Sequence, residues 1–329
     1  MEKDFLNLIQ KEFPIEERPF EILAKKLNSD EDKLIEIYKK LKDEKIIRQT
    51  SAIFDTKSLG YKSSLVAFMV DDIENAANFI NTHPGVSHNY ERDNEFNLWF
   101  TIAVEPDSKL GLEKTVELMA KKVNAKDFIV LPTIKMFKIK VQLDVKGDRA
   151  KKEKLEKKKK IELKLEPLHF ELIKRLQEDI EPVKKPFEKI VRDLNIDYET
   201  LKKEAQNLQN AGILRRFASI LYHRRAGFNA NAMVVWSVDE KNALEIGEKV
   251  ASFTAVSHCY LRPTYPKWPY PLFSMIHGKT KEEVENVVKD IKKEINPKDY
   301  KYLYSTREFK KQRIKYFSDE FKEWEKKYA

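Results

Sequence analysis

Apolar positions at helical spacing predict three short helices at the start of the chain. The first is centred on 5–9, the second spans Phe20–Leu27, and the third spans Leu34–Leu41 after an N-cap offered by Asn28-Ser29-Asp30. An extended stretch follows over 46–54. This order is typical of a winged helix-turn-helix.

Buried strands and amphipathic helices alternate over the next eighty residues. Continuous apolar runs predict the strands, and apolar faces at helical spacing predict the helices. The order is β-α-β-β-α-β, the ferredoxin-like pattern. The strands are predicted at 64–70, 86–92, 98–104 and 128–131, and the helices at 72–82 and 110–123. A polar extension follows the last strand.

The second half repeats this pattern. Gly60 and Gly227 are 167 residues apart, whereas His88 and His258 are 170 apart. The following strands are offset by 174, so the second copy has four extra residues in the loop 265–271. Equivalent helices are predicted at 168–176, 187–194, 198–208, 242–253 and 282–295, an extended stretch at 212–220, and strands at 232–238, 272–277 and 300–304.

The fold class is therefore α+β, a tandem repeat of a winged helix-turn-helix and a ferredoxin-like domain. This order resembles the Lrp/AsnC regulators, which pair through their sheets, and the resemblance implies an internal pseudo-dimer. We predict winged helix-turn-helix domains at 1–50 and 166–218, and ferredoxin-like domains at 51–145 and 219–329. A lysine-rich linker at 146–165 joins the halves.

Charge and composition narrow the classes of function. The net charge of the 329-residue chain is +9. Between residues 146 and 164 lie ten basic and four acidic residues, so most of the excess belongs to the linker. Cys259 is the sole cysteine, which excludes a disulfide framework or a cysteine-rich metal site. No apolar run reaches eighteen residues and no secretory signal precedes the first helix, so we expect a cytoplasmic protein without a membrane span.

The third helix of each half argues against DNA binding. A recognition helix brings basic or amide side chains to the groove. Here the leading turns are acidic, Asp30-Glu31-Asp32 and Asp197-Tyr198-Glu199. Carboxylates at these positions suit a helix N-terminus but repel a polyanion. Nucleic acid is therefore not an expected partner, although a regulator remains the alternative.

A motif, V-S-H-x-Y-x-R, occurs once in each half. The copies are 86–92 and 256–262, and the second leads into a loop rich in proline and aromatic residues. Prolines hold such a loop in an extended form and fix where its rings are placed. Rings, an imidazole and a guanidinium together suit a flat anionic aromatic ligand.

Longer motifs give a specific resemblance. The series 213–221, 226–236, 256–270 and 275–278 resembles the B-type subunit of the siroheme decarboxylases. The first half, with 59–61, 86–92 and 97–101, resembles their A-type subunit, so the chain looks like a natural fusion. The resemblance implies removal of the acetate carboxyl groups on rings C and D of siroheme. It implies no resident cofactor and no metal site, since the iron belongs to the substrate.

Proton donation and carboxylate binding decide the candidate site residues. Histidine titrates near neutral pH and can protonate the carbon left by decarboxylation, while arginine forks bind carboxylates. The predicted catalytic residues are His258, His88 and Arg262. The predicted substrate-binding residues are Arg48, Arg92, Arg215, Arg216, His223, Tyr260, Tyr265, Trp268, Tyr270 and His277.

The two copies are not equivalent as binding surfaces. Glu91 and Glu95 flank Arg92 in the first copy, whereas Leu261 and Tyr265 are their counterparts in the second. Acids are costly beside a polycarboxylate, so we expect the main pocket against the second half. His83 and His169 are expected to be structural, Trp99 and Trp236 to be core, and Cys259 to be inert.

Several alternatives stay open at this point. A tetrapyrrole sensor on the regulator scaffold would bind without turnover, and a structural subunit would need another decarboxylase. The residues do not decide between the haem d1 and the siroheme-dependent haem routes. Nor do they decide the order of the two decarboxylations, the number of sites or the proton-donating histidine. A homo-oligomer of the fused chain is expected.

Overall fold

A computed structural model describes residues 1–139, 162–222 and 230–329. The chain forms two compact units, and each takes segments from both halves. The helical unit comprises the described parts of Met1–Tyr61, Lys158–Arg225 and Lys315–Asp319. The sheet unit comprises those of Lys62–Lys157, Ala226–Ile314 and Glu320–Ala329. The predicted linker lies mostly outside the described residues.

The helical unit contains both predicted sets of three helices. The side chain of Asp30 accepts a hydrogen bond from the backbone N–H of Lys33 at 2.8 Å, and Asp197 does the same for Thr200 at 2.7 Å. The acids of the leading turns therefore cap their own helices. The helices are α1 Glu2–Lys11, α2 Pro19–Lys26, α3 Glu31–Asp43, α6 Pro167–Leu176, α7 Glu188–Asp193 and α8 Tyr198–Asn210.

The predicted wing of each half is a single strand that pairs with its counterpart. β1 (Ile47–Phe54) runs antiparallel to β7 (Leu214–Leu221), with Ser51 opposite Ala218. A lone strand leaves its backbone groups unpaired, and the repeat supplies the partner. The predicted domain boundaries at 50/51 and 218/219 fall inside these two strands.

The sheet unit contains the two predicted βαββαβ patterns. Leu65, Ala67 and Trp99 of the first half pack against Val235 and Phe273 of the second, so the two sheets meet through one face each. The helices cover the other faces. The first pattern is β2 Lys62–Met69, α4 Ile73–Asn81, β3 Val86–Arg92, β4 Leu98–Val104, α5 Gly111–Lys122 and β5 Asp127–Pro132; the second is β8 Ala230–Ser237, α9 Ala243–Ser252, β9 Val256–Leu261, β10 Leu272–Gly278, α10 Lys281–Ile295 and β11 Asp299–Leu303.

Each half also lends one strand to the sheet of the other. β6 (Lys135–Ile139) pairs with β9, and β12 (Ser305–Lys311) pairs with β3. The described strand orders are β12-β3-β4-β2-β5 and β11-β8-β10-β9-β6. The C-terminal helix α11 (Glu320–Tyr328) then packs through Trp324 onto the helix-covered side of the first sheet. The exchange of β6 and β12 confirms the internal pseudo-dimer. The sequence pattern did not predict these two strands or α11.

Candidate functional site

The two copies of the motif lie on equivalent strands, β3 and β9. Side chains alternate between the faces of a strand, so His258 and Tyr260 share the face that looks toward the other sheet. Cys259 points the opposite way into the helix-covered core and is fully buried. Burial raises the pKa of its thiol to about 12, which keeps it in the unreactive protonated form.

Ser257 links two histidines in the second copy. Its Oγ lies 2.7 Å from Nδ1 of His258 and 2.7 Å from Nε2 of His277. The carbonyl oxygen of Met275 is a third, more distant neighbour at 3.4 Å. β10 brings His277 beside β9, because the two strands are antiparallel neighbours.

His258 is held as a neutral ring. It is half-buried, and burial lowers the pKa of its imidazole from 6.5 to about 4. At neutral pH the ring therefore carries one proton. A hydrogen bond from the Ser257 hydroxyl to Nδ1 would leave that proton on Nε2.

The first copy has a related but shorter network. Ser87 Oγ lies 3.0 Å from Nδ1 of His88 and 2.7 Å from Oγ1 of Thr101. Thr101 lies on β4, opposite His88. The network that reaches a second imidazole in the second half reaches a hydroxyl here.

Arg262 and Arg92 are buried and joined to the opposite half. Nη1 of Arg262 donates to the carbonyl oxygen of Leu131 on β5, and Nη1 of Arg92 donates to that of Leu303 on β11. Burial lowers the pKa of each guanidinium to about 10, so both stay charged at neutral pH. The contacts do not support the prediction that these two arginines present an open fork to substrate carboxylates, because backbone oxygens already occupy Nη1.

Each arginine ends a row of stacked side chains. The ring of His258 stacks on Tyr260 with centroids 6.2 Å apart, and the Arg262 guanidinium lies 4.9 Å from the Tyr260 centroid. His88 and Tyr90 stack at 6.1 Å, and Arg92 lies 5.7 Å from the Tyr90 ring. The structure thus brings together the predicted histidine, tyrosine and arginine of each copy.

The aromatic loop of the second copy belongs to the core between the sheets. Tyr265 and Trp268 close a tight turn through two backbone hydrogen bonds. Trp268 is 1% exposed and packs against Trp99, with ring centroids 5.1 Å apart. The Tyr270 hydroxyl donates to Asp299, and the Tyr265 hydroxyl donates to the carbonyl of Val130 at 2.6 Å. Protein atoms already cover the Trp268 and Tyr270 rings, so their predicted contact with a macrocycle gains no support here.

The three remaining predicted arginines lie in the helical unit. Arg215 donates to Asp55, while Nη1 of Arg216 donates to the carbonyl of Gln10 at 3.1 Å. Burial raises the pKa of Asp55, but the bonds from Arg215 and Ser58 outweigh it, and the net shift is downward. Arg48 is half-buried on β1. His223 lies outside the described residues.

The four residues expected to be structural or core have such places. His83 is buried, and its Nδ1 accepts from the backbone N–H of Gly85 at 3.0 Å. His169 completes the capping box of α6 with Glu166. Trp99 and Trp236 are fully buried.

Comparison with known proteins assigns the chain to a family. A model described as the AsnC-like ligand binding domain matches residues 58–138 and 225–310. A model described as the siroheme decarboxylase NirDL-like HTH domain matches residues 2–48. A siroheme decarboxylase of Hydrogenobacter thermophilus is 43% identical over 97% of this chain and 96% of its own length. The chain belongs to the siroheme decarboxylase family.

Solved structures agree with this assignment. A crystal structure of the siroheme decarboxylase NirDL is 38% identical and superposes with a TM-score of 0.79 over 99% of this chain and 97% of its own. A second, in complex with an iron-uroporphyrin III analogue, gives the same identity and TM-score and covers 98% of its own chain. The NirDL subunit of Paracoccus denitrificans is 30% identical over 93% of this chain and 94% of its own length.

Ser257 contacts both His258 and His277 of this siroheme decarboxylase family member, but it was not among the predicted site residues. The sequence contained a signal for it, because a serine precedes the histidine in both copies of the motif.

Across the described ranges, no cluster of three or more histidine, cysteine or acidic side chains is arranged to hold a metal ion. No helix there has the length and apolar character needed to cross a bilayer.

Proposed function

We propose that this chain decarboxylates siroheme, removing the acetate carboxyl groups of rings C and D as carbon dioxide and leaving methyl groups. The observation that carries the proposal is its likeness, along nearly the whole chain, to fused siroheme decarboxylases. One of these was solved with an iron-uroporphyrin III analogue, a macrocycle of the same class. The product serves either haem d1 or siroheme-dependent haem synthesis.

The chemistry asks for a proton donor beside the macrocycle. When the carbon–carbon bond breaks, the electron pair stays on the former methylene carbon, and that carbon must then be protonated. His258 is the proposed donor, since its neutral ring carries a proton that the Ser257 contact directs to Nε2. His88 is its counterpart in the first copy.

The main pocket is proposed to lie against the second half. Glu91 on β3 is half-buried, whereas its counterpart Leu261 brings no charge near a ligand with eight carboxylates. Arg48, Arg215, Arg216 and His223 remain proposed carboxylate partners. No resident cofactor is proposed, because the iron arrives with siroheme.

Anaerobic incubation of the purified chain with siroheme tests the proposal. Mass spectrometry should show products lighter by one and then by two carbon dioxides. The protein should first be treated with a chelator, so that turnover cannot depend on an added metal ion. Absence of any mass loss over a long incubation would overturn the decarboxylase proposal, and rescue by a second decarboxylase would favour a structural subunit.

The helix-turn-helix elements leave a DNA-binding regulator or tetrapyrrole sensor as the second candidate. Two lysines near the recognition positions form ion pairs, Lys40 with Glu2 at 2.8 Å and Lys202 with Glu16 at 2.7 Å. These ion pairs compete with phosphate for the same ammonium groups. Retention on DNA at low salt together with siroheme binding but no turnover would favour this candidate.

The homo-oligomeric state and the cytoplasmic location of the chain stay predictions. Light scattering of the purified chain tests the oligomeric state.

A further inference from the structure

The hydroxyl of Ser257 contacts two imidazoles and carries only one proton. It can donate to one ring and must accept from the other. Its distances to Nδ1 of His258 and Nε2 of His277 are both 2.7 Å, so neither contact is the weaker by geometry. Ser257 is 3% exposed, which keeps water from competing for the hydroxyl.

We infer that Ser257 relays a proton from His277 to His258 while His258 protonates the decarboxylated carbon. This relay rests on the proposed function. It makes Ser257 a positioning residue that fixes which nitrogen of His258 carries the proton. It also makes His277 the group that gives up a proton to the relay when His258 protonates the carbon.

The step balances in protons and electrons. Carbon dioxide leaves without the bonding pair, and the Nε2 proton of His258 joins that pair on the carbon. Nδ1 of His258 takes the hydroxyl proton of Ser257, whose Oγ takes the Nε2 proton of His277. His277 starts protonated on both nitrogens and ends neutral. Solvent then returns a proton to Nε2 of His258, and the chain of hydrogen bonds reverses before the next turnover.

The need for a relay follows from the state of His258. Burial lowers the pKa of its ring to about 4, so the ring is neutral at neutral pH. A neutral imidazole is a poor acid unless its other nitrogen gains a proton as the first is lost. The contact with Ser257 supplies that proton and spares the buried site an anionic ring.

In the first copy the equivalent hydrogen-bond network ends at a hydroxyl, so it has no second imidazole to supply a proton. Ser87 contacts His88 and Thr101, and a threonine hydroxyl does not take up protons in the physiological range. His277 has no histidine counterpart in the first half. The relay therefore places the proton-donating site in the second half.

Single-turnover rates in mixtures of light and heavy water test the relay. The wild-type rate should fall along a curve as the deuterium fraction rises, because several protons move together. Ser257→Ala should lower the rate at least about tenfold and give a straight line, with siroheme affinity unchanged. Ser257→Thr should restore rate and curvature. A wild-type rate and curve in Ser257→Ala would overturn the relay.

A double substitution and a matched control sharpen the result. Adding His277→Gln to Ser257→Ala should cost no more than either change alone, because both break one chain. Additive losses would count against the relay. Ser274→Ala removes another buried hydroxyl of the same sheet, which accepts from Trp236 at 2.9 Å. It should keep the curved dependence, whatever it does to stability.

Nitrogen-15 NMR of histidine-labelled protein gives a readout that does not depend on turnover. His258 should be the Nε2–H tautomer in the wild type and a mixture in Ser257→Ala. An unchanged tautomer in the variant would overturn the relay. If the wild type shows this tautomer but never releases carbon dioxide from siroheme, the proposed function fails. If it is active and Ser257→Ala is unaffected, only the relay fails.

Discussion

Arg262 donates a hydrogen bond from Nη1 to the carbonyl oxygen of Leu131, which lies in the other half of the chain. Arg92 makes the equivalent bond to Leu303. Each motif strand is thereby tied to the last ferredoxin-like strand of the opposite half. The same guanidinium groups stack on the tyrosines beside the two histidines. The bond that joins the halves therefore also fixes the row leading to the site.

Arg262→Gln should lower the free energy of unfolding by about 2–3 kcal/mol. The change removes a charged donor from a buried carbonyl oxygen, and such hydrogen bonds contribute roughly 1.5–3 kcal/mol. Denaturant titration monitored by tryptophan fluorescence measures the loss. Siroheme affinity of the folded variant should stay near that of the wild type, because the guanidinium points at the backbone.

Arg307→Gln is the matched control for that substitution. Arg307 is exposed on β12 and pairs with Glu74 at the surface and, at 3.7 Å, with the half-buried Glu91, so its loss should lower the unfolding midpoint much less than Arg262→Gln does. A strong loss of siroheme affinity in a stably folded Arg262→Gln variant would show that Arg262 binds a substrate carboxylate, as the sequence suggested.

His258→Asn should lower the rate of carbon dioxide release about 10²- to 10⁴-fold, the contribution expected of a positioned general acid. The variant should still bind siroheme, as the absorbance change on binding would show. His88→Asn should have a smaller effect, because we propose that the main pocket lies against the second half. A His258→Asn variant with unchanged turnover would remove His258 from the catalytic role.

Most of the fold followed from local patterns. The helices and the βαββαβ strands were predicted from apolar spacing, and the repeat was predicted from the similar offsets, 167 to 174 residues, between matching positions. The exchanged strands β6 and β12 were not. β12 reads Ser-Thr-Arg-Glu-Phe-Lys-Lys, which carries no alternating apolar face. Such an edge strand is defined by a partner from the other half, and sequence pattern does not report that pairing.

The candidate site followed the sequence only in part. The repeated motif located His258 and Tyr260 on one strand and Arg262 directly after it, since the residue types and their spacing carry that information. It did not show that Arg262 would reach Leu131, an acceptor 131 residues away in the chain. Nor did a proline-rich aromatic loop reveal that Trp268 fills the space beside Trp99. Both features depend on how two halves pack, which no single stretch encodes.

Trp268→Ala should lower the free energy of unfolding by about 3–5 kcal/mol, the usual cost of deleting a fully buried tryptophan side chain. Its ring packs against Trp99, Tyr270 and Phe273, so the deletion leaves a cavity between the sheets. Thermal unfolding followed by circular dichroism measures this. Lys267→Ala, in the same loop but exposed and paired with Asp127, should behave like the wild type. A small effect of Trp268→Ala would mean that the loop is held loosely and that its rings are free to meet a ligand.

Stability should fall as pH decreases from about 6.5 toward 3, and His83 should account for part of the fall. Burial, followed by the nearby charge of Lys310, lowers the pKa of His83 from 6.5 to about 3 in the folded chain. Below pH 6.5 the unfolded chain therefore binds a proton that the folded chain does not, so lower pH favours unfolding. The slope is at most about 1.4 kcal/mol per pH unit for one such histidine.

His83→Gln isolates this contribution, because glutamine does not titrate. The variant will lose some stability at every pH, since His83 accepts from Gly85 and lies 4.5 Å from the Trp324 ring. The difference between wild type and variant is the measured quantity, obtained from urea titrations at steps between pH 8 and pH 4. It should be constant above about pH 7 and shrink as pH falls. Only the wild type has a histidine at this position that is neutral in the folded chain and becomes protonated on unfolding. A difference that does not change with pH would show that His83 titrates alike in the folded and unfolded chains.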